Sequence, residues 1–434
     1  MKKKLFLAFM ASTLILAAKV PLSQAVVNAW KISPGLDSQK LEENAADTAR
    51  LTALRRKYFS LYLNGSYRYT SDTMQVKLSD FPFPANADMA PETIILSTPN
   101  HNIDMKISLL QPVYSGGMLS NAVRMEAIRE AAERDLTKMK KLELAGKVKS
   151  SFFNHRLFSR KRDSLNLLLD ILKLHQGKLE NLYAEELVRK SDLLETRTKV
   201  DEIRLNLEDL EQLIRSEALN FSTLCGYEPG DIDADARSAD ESLPAALEFF
   251  LARHPLLHSL DERARILQIR KKTIRGSYLP QVNAAVEFHY GRPGQNIFVT
   301  RWTPYVLGMI NVSLPIFNWN QGERDKKLVD IAARKLQNQR DDFVRESERN
   351  LRQLYFRKES LEKKLALLDS LVANAAEDAR LKEALYSENQ IDHNDYLAAL
   401  TSQERSLSNR EELLAQVELT KAGIHVLIGK LEEE

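Results

Sequence analysis

The chain repeats itself at a fixed interval. Pro112-Val113-Tyr114 returns as Pro315-Ile316-Phe317, and Leu182-Tyr183 returns as Leu385-Tyr386. Asp192-Leu193-Leu194 returns as Asp395-Tyr396-Leu397, and Leu224-Cys225-Gly226 as Leu427-Ile428-Gly429, each 203 residues later. One offset held at four separated places marks a duplicated unit, and such a repeat constrains architecture before any single motif does. Inside each unit lies a long stretch without proline, from Gly117 to Pro229 and from Phe317 to the C-terminus. Both are far longer than one globular helix. Each is expected to be a long helix folded back on itself, over about 118–185 and 191–225 and again over about 320–386 and 394–430, with turns near 186–191 and 389–394. Val200, Ile203, Leu207, Leu210 and Ile214, like Leu361, Leu365, Leu368, Val372 and Ala375, step by three and four, the spacing of one apolar stripe per helix. A helix over 118–184 would be roughly 100 Å long at 1.5 Å per residue.

Before each helical stretch the hydrophobic period changes from 3.6 to 2. Phe59 to Tyr69, Ile103 to Leu109, Val282 to Tyr290 and Val306 to Leu314 alternate apolar with mostly polar residues, giving strands over about 58–70, 101–113, 280–290 and 303–314. Strands of about ten residues suit a tilted membrane-spanning segment. The polar face carries Arg68, Asp104, Lys106, Glu287 and His289, as a water-filled lumen requires. Tyr58, Tyr67, Tyr69, Tyr290, Trp302 and Tyr305 collect at strand ends, as interfacial girdles do. Four strands alone leave two open edges, which lipid does not tolerate. Three copies would close a twelve-stranded barrel. The fold class is therefore mainly α with a four-strand β contribution: duplicated coiled-coil hairpins plus strands that close a transmembrane β-barrel only when several chains combine.

The N-terminus reads as a secretory signal over 1–25: Lys2, Lys3 and Lys4, an apolar run from Leu5 to Ala18, and Ser23-Gln24-Ala25 as the cleavage site. The apolar run is shorter than the roughly 20 residues of a spanning helix. No cysteine follows it to carry a lipid anchor, since the single cysteine is Cys225. The first repeat occupies 26–226, a connector 227–242 and the second repeat 243–434. Counted from Asp37 to Lys57, the first repeat has fewer residues before its strand than the second has, so its leading helix is expected to be short or to lack a small flanking helix.

Composition removes other classes. With 62 Lys plus Arg against 60 Asp plus Glu there is no basic excess for a nucleic acid. Mean hydropathy of −0.35 is not that of a helical multi-span protein. One cysteine excludes a disulfide framework and a cysteine-rich metal site. His254 and His258, four apart, could ligate zinc, but no third ligand is positioned and Pro255 at a helix start explains the pattern better. No phosphate loop, nucleophile elbow or dinucleotide fingerprint is present, so no enzyme, cofactor or metal is expected. Cys225 reads as a small packing residue.

The sequence resembles the TolC-type outer-membrane efflux protein family. The carriers are Leu110-Gln111-Pro112-Val113-Tyr114-Ser115-Gly116-Gly117 and its partner Ser313-Leu314-Pro315-Ile316-Phe317. Ser277-Tyr278-Leu279-Pro280-Gln281-Val282, Arg253-His254-Pro255 and the helix-ending Leu224-Cys225-Gly226 and Leu427-Ile428-Gly429 add to them, in the family's order over 37–430. The resemblance implies that the strands close a twelve-stranded transmembrane β-barrel only as a trimer, making a homotrimeric, passive exit duct through outer-membrane lipid and across the periplasm. It also implies docking to a periplasmic adaptor (membrane fusion) protein and an inner-membrane pump of the RND or ABC type. It places acidic residues at the narrow periplasmic entrance, here Asp192 and Asp395, which residue chemistry also reads as helix N-caps. A second acid often follows the later one by three residues, where this chain has Ala398; a glycine often precedes the acid by six, where it has Glu186 and Asn389. A periplasmic coiled-coil adaptor or scaffold without its own pore is the alternative.

Overall fold

The computed structural model describes residues 20–77, 95–233, 240–388 and 390–431. Most of the expected signal segment, part of the loop between the first two strands, part of the connector and Asn389 lie outside these. The described chain runs α1(Leu22–Ile32), α2(Pro34–Arg55), β1(Ser60–Tyr69), β2(Gln75–Lys77), β3(Ile95–Ser97), β4(His101–Tyr114), α3(Met118–Ala184), α4(Lys190–Cys225), α5(Leu243–Arg253), α6(Pro255–Gly276), β5(Gln281–Arg292), β6(Thr303–Ser313), α7(Gln321–Ser387) and α8(His393–Ile428). A 3-10 turn, Pro229–Asp231, stands in the connector. The fold divides into two units, one of residues 1–41, 134–259 and 339–434 and the other of 42–133 and 260–338.

The second unit holds a four-stranded antiparallel sheet in the order β1-β4-β5-β6. Register places Leu63, Ile107, Phe288 and Val306 in one row and Asn64, Lys106, His289 and Tyr305 in the next. Because side chains alternate across a strand, these rows belong to opposite faces. One face is apolar and exposed; the other carries the charges. β1 and β6 are its edges.

The first unit is built from helices around three apolar clusters. One joins α1 to α3, α4 and Ile232, with Phe153, Phe221 and Cys225 fully buried. Another joins α5 and α6 to α7 and α8 through Phe250, Leu351 and Ile428. A third fills the hairpin ends, where Leu172, Val200, Ile203, Leu397 and Leu400 meet. The stripe residues Val200, Ile203, Leu207 and Leu361 are buried, as their spacing requires. Gly226 and Gly429, 203 apart, end α4 and α8 in the left-handed region at φ 73° and 81°, where glycine carries no Cβ penalty.

The expectation of a short first segment is overturned. α1 and α2 have 11 and 22 residues, matching α5 and α6 at 11 and 22. The flanking helix was hidden because its first turn overlaps the apparent signal sequence. Leu22, Ala25, Val26 and Ala29 pack into the core. Val20 pairs with Ile232, Asn28 Nδ2 donates to the Cys225 carbonyl at 2.7 Å and Trp30 Nε1 to that of Lys141 at 3.0 Å. A cut after Ala25 would remove the first turn of α1 and the Val20 pairing.

Candidate functional site

Two polar clusters stand out, one on the sheet and one at the hairpin ends. On the sheet, four of the five residues expected to face a lumen form one network. His289 Nδ1 lies 3.0 Å from Asp104 Oδ2 and its Nε2 lies 3.1 Å from Glu287 Oε2. Lys106 Nζ donates to Glu287 Oε1 at 2.9 Å, and Ser108 Oγ donates to the same oxygen at 3.1 Å. Arg68 shares this face, two residues along β1 from Ser66, which faces Asp104. Tyr305 stacks on His289 with ring centroids 4.6 Å apart. It was expected in an aromatic girdle, but its register opposite His289 puts it on the polar face. Its odd number, shared with Leu307 and Met309, carried that information in the sequence.

At the hairpin ends, Asp192 and Asp395 stand in the first turns of α4 and α8. They are not N-caps: those positions belong to Arg189 and Asp392. An acidic side chain in a first turn still interacts favourably with the helix dipole. Asp192 is half-buried and accepts a hydrogen bond from Ser191 Oγ at 2.9 Å, whereas Asp395 is exposed. The turn between α3 and α4 puts Glu186 at φ 60°, at the position where the resemblance expects glycine.

Beside Asp192 is a cluster that sequence reasoning missed. His175 Nε2 lies 3.0 Å from His393 Nδ1, and His393 Nε2 lies 2.9 Å from Thr196 Oγ1. Thr196 Oγ1 donates to the Asp192 carbonyl at 3.0 Å. A hydroxyl has one proton, so Thr196 must accept from His393 Nε2–H, and His393 Nδ1 must accept from His175 Nε2–H. Tyr386 and Tyr396 stack at 5.2 Å, and each meets the His175 ring edge-on. The cluster thus ties α3, α4, α7 and α8 together. Burial holds His175 down to about 4, helped by His393 and Lys178. Burial also lowers His393, against the pull of Asp192 and Glu195. The contributing residues lie far apart in sequence, and no local pattern links His175 to His393.

The remaining residues have structural roles. His254 ends α5, packs on Phe250 and Phe343 and is lowered to about 4 by burial, while His258 pairs with Asp135. Among the described residues, no group of three or more His, Cys, Asp or Glu could hold a metal ion. The Cys225 thiol, pushed up by burial, lies 3.2 Å from the Phe221 carbonyl. Pro112 lies near the end of β4, and Gly116 and Gly117 turn into α3 at φ 59° and 80°. A Cβ on Gly116 would lie 2.2 Å from the Gly276 carbonyl oxygen, so both conformation and contact demand glycine. Pro315 and Phe317 occupy the equivalent turn after β6.

No family model and no curated protein matches the sequence. Solved structures match it over nearly their whole length. CusC, described for conformational changes accompanying folding and transmembrane channel formation, gives a TM-score of 0.78 at 13% identity, covering 96% of this chain and 94% of that one. The outer-membrane protein VceC of Vibrio cholerae gives 0.74 at 14%, covering 95% and 97%. The open-state MtrE outer-membrane channel of Neisseria gonorrhoeae gives 0.72 at 14%, covering 95% and 90%. The fold is that of the TolC-type outer-membrane channels. At such low identity, the likeness speaks to the fold of this TolC-like chain.

Proposed function

We propose that this TolC-like chain is the outer-membrane exit duct of a tripartite efflux or export system, acting as a homotrimer. The observation that carries the reading is the sheet: four strands with one exposed apolar face, a charged opposite face and two edges, β1 and β6. A bilayer accepts such strands only when every edge is paired, so β1 of one copy must meet β6 of the next. Three copies give the twelve strands of a closed barrel. A scaffold outside the membrane would have no use for the apolar face. Exposed Leu205 and Leu219 on α4 and Phe356 and Leu367 on α7 suit burial against neighbouring copies.

The polar face would line the lumen, and Asp192 and Asp395 would ring the periplasmic entrance, repelling anions. The energy source would be an inner-membrane pump of the RND or ABC type, joined through a periplasmic adaptor. Export would use the N-terminal signal, and sequencing the mature N-terminus reads the cut; retention of Val20 and Leu22 keeps α1 whole.

The test is envelope fractionation, followed by the mass of the unboiled, detergent-extracted protein and its conductance in planar bilayers. An outer-membrane species of three chain masses that conducts is expected. A soluble periplasmic monomer overturns the reading. In the same bilayers, Asp395→Ala is expected to lower the cation preference, and unchanged selectivity removes Asp395 from the entrance.

A further inference from the structure

The helix pair ahead of each sheet segment also repeats, at its own interval. α1 and α2 begin at Leu22 and Pro34, and α5 and α6 begin at Leu243 and Pro255, 221 residues later, with equal lengths of 11 and 22. β1 and β5 begin at Ser60 and Gln281, again 221 apart. The offset becomes 203 only past the β1–β4 loop, which is longer than the β5–β6 loop. The correspondence reaches the core. Ala25 and Ala246 are both 0% exposed, and Ala29 and Phe250 are 0% and 1% exposed. Leu22 is buried in the cluster around Phe153, and its equivalent Leu243 packs against the cluster around Phe250.

Just ahead of α1, Val20 is bonded on both sides to the connector. Val20 N donates to the Asp231 carbonyl at 2.8 Å, and Asp233 N donates to the Val20 carbonyl at 3.0 Å. A chain beginning at Val26 would leave those two connector groups without these partners and would open the Phe153 cluster at Leu22 and Ala25. A segment that is bonded, buried and matched in the second repeat belongs to the mature fold rather than to a leader.

The cut must then fall before Val20. Signal peptidase reads small residues directly after an apolar run of roughly 7–15 residues. Leu5 to Leu16 is such a run, and Ala17-Ala18 follows it at once. Lys19 closes the run, since an ammonium resists the bilayer interior, whereas Ala25 lies well beyond that boundary. We propose that signal peptidase cuts after Ala18, so that the mature chain begins at Lys19 with α1 whole, and that Ser23-Gln24-Ala25 is packed helix and not a processing site. This rests on the export reading given with the channel.

The test is N-terminal sequencing and intact mass of the full-length protein purified from the envelope. Lys19 is expected as the first residue; Val26, or any other first residue on an exported chain, overturns the proposed cut and leaves export standing. In pulse-labelled cells, Ala18→Gln is expected to accumulate uncut precursor, while Ala25→Gln is cut as fast as wild type. Processing is read before packing matters, so the result holds even where the Ala25 variant folds badly. The reverse pattern overturns the proposal. Behind a foreign leader, a chain made to start at Val26 is expected to give a trimer of lower melting temperature than one made to start at Lys19. Equal temperatures would show that residues 19–25 add nothing to the fold, and would overturn it as well. A wild-type chain that keeps Met1 and stays in the cytoplasm is a different result, which removes the export reading together with the cut.

Discussion

On the sheet, His289 sits between the carboxylates of Asp104 and Glu287, with Lys106 completing the network. At the hairpin ends, His393 sits between a second imidazole and the hydroxyl of Thr196. Both histidines are buried, but the first hydrogen-bonds carboxylates and the second hydrogen-bonds only neutral groups. A charge leaving water must find an opposite charge or forgo ionisation. The sheet cluster takes the first course. The hairpin cluster takes the second, and its one-way order of N–H and O–H groups depends on both imidazoles staying neutral.

The largest expected effect comes from a permanent cation at each place. His175→Lys puts an ammonium beside His393 and the Tyr386 and Tyr396 rings, with no acid on the atoms His175 now meets. Loss of about 3 kcal/mol or more in local opening free energy is expected, the usual scale for an uncompensated buried charge. His289→Lys places the same group between two carboxylates, where a much smaller loss is expected because the charge finds opposite partners. Hydrogen exchange of amides flanking each site reads both values. Equal losses would erase the distinction between the clusters.

The fold was more legible than the sites. The constant 203-residue offset and the change of period from 3.6 to 2 before Met118 are strong signals, because each sums many weak ones. The sheet network was readable for the same reason: alternation assigns Asp104, Lys106, Glu287 and His289 to one face without any contact being known. Tyr305 follows the same rule, but its aromatic character suggested a girdle instead. The His175–His393 pair left no trace, since it depends on how two hairpins meet, and 218 residues separate its members. Helix α1 was obscured for another reason. A small-residue, apolar segment satisfies a signal peptidase and a packed helix equally well, so Leu22 and Ala25 carried two meanings.

Acid sharpens the comparison next. His175 and His393 are held below the ordinary histidine value near 6.5, so the opened hairpin ends take up protons before the packed ones. Stability there is full above about pH 6.5, falls as the pH drops, and levels off below the folded value, about 4 for His175. One proton can be accommodated by reversing the His175–His393 hydrogen bond; a second sets two imidazolium rings against each other. Hydrogen exchange, corrected for intrinsic rates, should show the first turns of α4 and α8 losing protection between pH 6.5 and 4. His175→Phe should flatten that slope, and an unaltered slope would assign it to other groups.

The smallest effect concerns the turn that brings α4 back beside α3. Glu186 adopts φ 60°, while Glu186 N donates to the Tyr183 carbonyl at 3.0 Å and Leu187 N to that of Leu182 at 2.9 Å. This is a helix-ending geometry in which glycine avoids the Cβ clash that other residues meet. Glu186→Gly should therefore stabilise the turn by about 1 kcal/mol, less the added freedom of glycine in the unfolded chain. The substitution leaves the His175–His393 cluster untouched, so its gain should be independent of pH between 6.5 and 4. A pH-dependent gain would show that the turn and the histidine pair open as one unit.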